Sequence, residues 1–75
     1  MNKARRERLR MAKSKLSAIR DEVDLIREEE DEARDNMPES LQGSDRYEES
    51  EESSNLMDSA VSLIDDAIKS IDDAI

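Results

Sequence analysis

Asn36-Met37-Pro38-Glu39-Ser40-Leu41-Gln42-Gly43-Ser44 holds the only proline and the only glycine in a chain of 75 residues. Pro38 drives Met37 out of helical geometry, so a helix arriving from the N-terminal side ends near Asn36. Pro38 suits the first position of a short helical turn, and Gly43 suits the left-handed residue that stops it. Ser44 or Asp45 can then cap a second helix, with Glu48 closing a capping box on Asp45. The stretch therefore reads as a corner between two helices.

On the N-terminal side the apolar residues are Leu9, Ala12, Leu16, Ile19, Val23 and Ile26, spaced 3, 4, 3, 4, 3, with Ala33 and Met37 resuming after a break at Glu30. On the C-terminal side they are Met57, Val61, Ile64, Ile68, Ile71 and Ile75, spaced 4, 3, 4, 3, 4. Both are heptad seams, and neither shows the alternation by two of a strand. Folding the chain at the corner sets Leu9 against Ile75, Leu16 against Ile68, Val23 against Val61, Glu30 against Ser54 and Met37 against Tyr47, and each pair of numbers adds to 84. The intervening pairs Ala12/Ile71, Ile19/Ile64 and Ile26/Met57 each add to 83. This constant register predicts an all-α antiparallel two-helix hairpin, coiled-coil-like, in a single domain over 1–75: helix 2–36, turn 37–44, helix 45–75. Ser and Asn compete for backbone hydrogen bonds, so the second helix is expected to weaken over residues 50–55 or to restart at Ser54.

A further apolar stripe, Leu56, Ala60, Leu63, Ala67 and Ala74, widens the face of the second helix beyond a simple seam. A hairpin this small buries little surface alone, and the stripe needs cover. These five residues are the expected oligomer interface of a homo-oligomer, as a four-helix bundle or a larger symmetric assembly.

Charge is distributed as a dipole along the chain. The net charge is −9, yet residues 1–20 carry eight basic residues against one acid, a net of +7, and residues 21–75 carry four against twenty, a net of −16. Basic residues open the first helix and Asp65, Asp66, Asp72 and Asp73 end the second, each the wrong sign for its own helix dipole. Side by side in a hairpin the two ends attract, which sets register more than stability. Residues 28–52 hold twelve acids and two arginines, a net of −10.

Composition excludes several chemistries. Without Cys there is no disulfide, thiolate nucleophile or thiolate-bound metal, and without His no Glu-x-x-His di-iron site. A single glycine builds neither a Walker loop nor a dinucleotide fingerprint. The acids at 28–32 lack the Asp/Asn spacing of a calcium loop and read as a solvated face. No cofactor, no metal and no catalytic residue is expected, and the chain reads as not an enzyme. No apolar run approaches the roughly 20 residues that span a bilayer, and no apolar region follows the basic start as in a signal peptide. The expected place is the cytoplasm.

Arg5, Arg6, Arg8 and Arg10 are the candidate ligand-binding residues, because guanidinium forks match phosphate oxygens. The competing reading is that they neutralise the acidic end of the second helix. Residues 61–75 have a net charge of only −3, so this end of the hairpin keeps about +4. Tyr47, the lone aromatic, is the one side chain able to stack on a base, or else it closes the core beside Met37. It lies roughly 50 Å from the arginines along the rod at about 1.5 Å per residue, so the two can meet only between protomers. The −10 segment repels nucleic acid and suits a basic protein surface, or simply keeps the protein soluble. Glu30 opposite Ser54 reads as a polar, thin layer, either hydrated or lining a pocket.

The corner with Ser44-Asp45-Arg46-Tyr47-Glu48 after it resembles short helical-hairpin proteins carried by phages and prophages of Gram-positive bacteria. The similarity covers the acidic end of the first helix, the turn and the second helix. It implies, by analogy, two roles. One is an anti-defence sponge that sequesters a cyclic nucleotide immune signal between protomers. The other is an acidic inhibitor or adaptor on a host defence protein, imitating nucleic acid. A purely structural coiled-coil protein is the third reading, and DNA binding through the basic arm a weaker fourth, since the whole molecule is anionic. The resemblance transfers no functional residues.

Overall fold

A computed structural model describes all residues, 1–75: helix α1 over Lys3–Asp35, a single 3-10 turn over Glu39–Leu41, and helix α2 over Asp45–Ala74. The two helices pack against each other as an antiparallel hairpin, a rod of 60 × 14 × 12 Å. No helix is long and apolar enough to cross a membrane.

The ends follow from local chemistry. Asn2 caps α1, its side-chain oxygen accepting from the Arg5 amide at 2.9 Å. At the other end the Asn36 amide donates to the Glu32 carbonyl at 3.1 Å and the Met37 amide to the Arg34 carbonyl at 3.1 Å, after which Pro38 has no N–H to continue. Pro38, at φ −57° and ψ 147°, stands just before the 3-10 turn rather than inside it, and the Leu41 amide reaches back to its carbonyl at 2.9 Å. Gly43 takes φ +86°, the left-handed conformation that its position requires. Ser44 is the cap of α2, accepting from the Tyr47 amide at 3.3 Å. Asp45 is thus already helical, and the capping box expected on it with Glu48 is not formed.

The pairing of the seams is fixed by three ion pairs across it. Lys13 Nζ lies 2.5 Å from Asp72 Oδ1, Arg20 Nε 3.0 Å from Asp65 Oδ1, and Arg27 Nε 3.1 Å from Asp58 Oδ1. Each pair of numbers adds to 85, one step from the apolar pairs that add to 84, so the register is the one the spacing predicts. Four residues on from Leu9, Leu16 and Val23 come the cations; three residues on come Ala12, Ile19 and Ile26. With 3.6 residues per turn, these two sets lie on opposite edges of the seam. The hairpin closes on the charged edge and leaves the other open. Ile19 and Ile26, expected in the core, therefore stay 53% and 45% exposed, and Ala33 is exposed too. Val61 is the only buried apolar residue.

Helix α2 runs without interruption through residues 50–55. The weakening expected there is absent because the serine hydroxyls are occupied by side chains of α1. Ser50 donates to Glu30 Oε2 at 2.9 Å, and Arg34 Nη1 donates to Ser54 Oγ at 2.8 Å and Ser50 Oγ at 3.2 Å.

Candidate functional site

Two regions carry the chemistry: a basic arm at the start of α1 and a polar layer near the turn. The arm holds Arg5, Arg6, Arg8 and Arg10 on two turns of helix, and helical spacing divides them. Arg5 and Arg8 share a face and line one open cleft with Met1, Leu9 and Ala12. Arg6 and Arg10 project elsewhere, and Arg10 Nη1 is held by Glu7 Oε1 at 2.6 Å. Arg5, Arg6 and Arg8 form no ion pair with any carboxylate of the chain. None of the four arginines therefore neutralises the end of α2; the cation that does is Lys13, which meets Asp72.

Tyr47 sits on the first turns of α2, half-buried, at the far end of the rod from the arm. One hairpin does not bring it to the arginines. Of the five interface candidates, Leu56 and Leu63 are 63% and 68% exposed, Ala67 and Ala74 are exposed, and Ala60 is half-buried. All five are uncovered or partly so.

The polar layer is closed, with neither a frayed gap nor a pocket. Ser50 and Ser54 are 6% and 5% exposed, the most buried side chains of the molecule, and no buried polar atom lacks a partner. Besides the two serines, Arg34 binds Asp31 Oδ1 through Nη2 at 2.8 Å. The Ser54 hydroxyl, then the Arg34 guanidinium, hold the Asp31 carboxyl below the usual carboxylate range. Asp31 in turn, by hydrogen bond, raises Arg34. Arg27 bridges Asp24, Asp31 and Asp58, and its raised pKa comes first from the Asp24 hydrogen bond. Arg20 is raised mainly by its hydrogen bond to Asp65.

These contacts form one ladder that the apolar spacing does not reveal. Lys13, Arg20 and Arg27 recur every seven residues on α1 and meet Asp72, Asp65 and Asp58 at the same spacing on α2; Arg34 and Glu51 continue both spacings, but Arg34 pairs with Asp31 instead. The signal was present in the charges: four cations at heptad spacing face four acids at heptad spacing in the same register. Elsewhere the acids do not converge, and no three of them are placed to hold a metal ion.

No family model, no curated protein and no solved structure matches this chain.

Proposed function

We propose that this chain is a non-enzymatic, phage-type binding protein that self-associates and sequesters a small anionic signal of the cyclic nucleotide class at the junction between copies. The observation that carries the reading is the free basic arm. Every cation on the interhelical edge is engaged by a carboxylate, whereas Arg5, Arg6 and Arg8 have none. Arg5 and Arg8 share a cleft with apolar Met1, Leu9 and Ala12, so a phosphate can take the guanidinium forks while a base or sugar lies on the apolar side. Tyr47 belongs to such a site only if another copy supplies it. This role, in the cytoplasm of a bacterial host, is the anti-defence sponge implied by the resemblance of the turn.

Titration calorimetry with a panel of cyclic mono- and dinucleotides tests it. Heat is expected with at least one of them, and Arg5→Ala with Arg8→Ala is expected to abolish it. No heat above dilution for the whole panel overturns the reading.

A second reading rests on the opposite end. Of the two basic residues in 28–52, Arg34 is tied to Asp31, while Glu48, Glu49, Glu51 and Glu52 stand exposed on one short stretch of α2. That surface suits an inhibitor docking on a basic host protein in place of nucleic acid. Reversing those four charges is expected to release any host protein captured by pull-down. A captured protein that survives the reversal rules this reading out.

A further inference from the structure

The two edges of the seam differ in a way that identifies what covers the open one. On the closed edge the cations and acids satisfy one another within the hairpin. On the open edge of α1, one residue before each of Leu9, Leu16, Val23 and Glu30, stand Arg8, Lys15, Glu22 and Glu29. All four are exposed and none forms an ion pair. Their order, two cations then two acids at heptad spacing, becomes its own complement when the helix is turned end for end.

We infer that the open face receives a second copy of this chain, antiparallel to the first, with a two-fold axis passing at Ile19 and Ile64. This rests on the self-association proposed above, and in it Glu29 of the second copy competes with the anion for Arg8, leaving Arg5 and Arg6 unpaired. About that axis Arg8 faces Glu29 of the second copy and Lys15 faces its Glu22, which with symmetry makes four ion pairs. Sliding by one heptad sets Lys15 against Lys15 or Glu22 against Glu22, so the charges select one register.

The apolar residues lead to the same axis independently. Ile19 meets Ile19 of the second copy, and Ala12 meets its Ile26, a small residue opposite a large one. On α2, Ile64 meets Ile64, Ile71 meets Met57, and Ala60 meets Ala67. Ile19 and Ile64 are level with each other, beside the Arg20–Asp65 rung, so both helices place the axis at one height. An isologous contact of this kind is the commonest oligomeric arrangement.

Size and charge agree. The rod offers a face 60 Å by 14 Å, close to the about 800 Å² per partner of a stable interface. A parallel pair would lay the −10 turn end on its twin. The antiparallel pair lays the basic arm, residues 3–8, beside residues 30–35 and 49–54 of the other copy, the acidic neighbourhood of the polar layer and of Tyr47.

The chain has no Cys, so engineered disulfides report the register directly. Ile19→Cys is expected to give a covalent dimer on mild oxidation, and Ile26→Cys alone is not. Mixing Ala12→Cys with Ile26→Cys chains is expected to give the mixed disulfide. As a check that needs no cysteine, Arg8→Glu with Lys15→Glu is expected to weaken dimerisation at least about tenfold, and adding Glu22→Lys with Glu29→Lys to the same chain to restore it. Sedimentation separates the failures. A monomer overturns self-association itself. A dimer in which Ile19→Cys does not cross-link, or in which the four-charge exchange fails to restore affinity, overturns this arrangement alone.

Discussion

The half of the rod near the termini and the half near the turn solve burial in opposite ways. Between Leu9/Ile75 and Ile26/Met57 the seam is apolar, yet only Val61 is buried and Ile19 and Ile26 stay about half-exposed. Between Glu30 and Ser54 the seam is polar, yet Ser50 and Ser54 are the most enclosed side chains in the protein. Hydrogen bonds are directional and saturable, so Glu30, Asp31, Arg34 and two serines can complete one another within one hairpin. Apolar contact is neither, and a strip of Ile, Leu and Ala on two helices continues to gain from whatever covers it. The polar half fixes which residues face one another, while the apolar half leaves Ile19 and Ile26 uncovered.

The seam is most sensitive at its one buried apolar side chain. Val61→Asp puts a carboxylate into the apolar seam, where the nearby Arg20 and Arg27 are already taken by Asp65 and Asp58, a cost of several kcal/mol against a total stability of about 5–15 kcal/mol for a small domain. Loss of most of the helical circular dichroism is the expected result. Next comes the polar half. Arg34→Ala leaves the Asp31 carboxylate with Arg27 alone and deprives the Ser50 and Ser54 hydroxyls of their shared donor, and losing partners in such a buried layer costs about 1–3 kcal/mol. A fall in Tm of several degrees should follow, with the helicity of the apolar half retained.

Acid sharpens the contrast more gently. The Asp31 carboxyl is held below its ordinary value in the folded state, so its contribution is complete above that value and is lost as the pH falls through the folded one. Thermal melts should show Tm dropping below about pH 4, and Asp31→Asn should flatten that part of the profile while lowering the plateau at neutral pH. Unchanged acid sensitivity in Asp31→Asn contradicts the assignment. The smallest effect belongs to the ladder. Arg20→Gln removes an exposed rung to Asp65, and the expected shift in Tm is a few degrees at most, vanishing in high salt.

Much of this was legible in the residues. Pro38 and Gly43 mark the corner, and the two 3–4 spacings give the hairpin and its register to the residue. Three features were not legible from apolar spacing. Ile19 and Ile26 occupy good core positions, but two helices can enclose only one edge of a seam, so their exposure follows from the missing cover rather than from the pattern. Arg34 reads as a surface charge until Ser50 and Ser54 are known to lie level with it; a long side chain joins a buried layer when short polar ones leave it room. The ladder was visible as heptad spacing, though only in the charged residues, where i,i+3 and i,i+4 contacts such as Arg27 with Asp24 and Asp31 mask it. For the candidate site, spacing grouped four arginines, whereas helical geometry joins only Arg5 and Arg8 and ties Arg10 to Glu7.

In the proposed dimer the open edge is the face that receives another copy. Sedimentation equilibrium of the wild-type chain at micromolar concentration tests it most directly. A mass of twice the 8.6 kDa chain, or a higher even multiple, is expected. A single species of 8.6 kDa across the concentration range, with helicity intact, contradicts it.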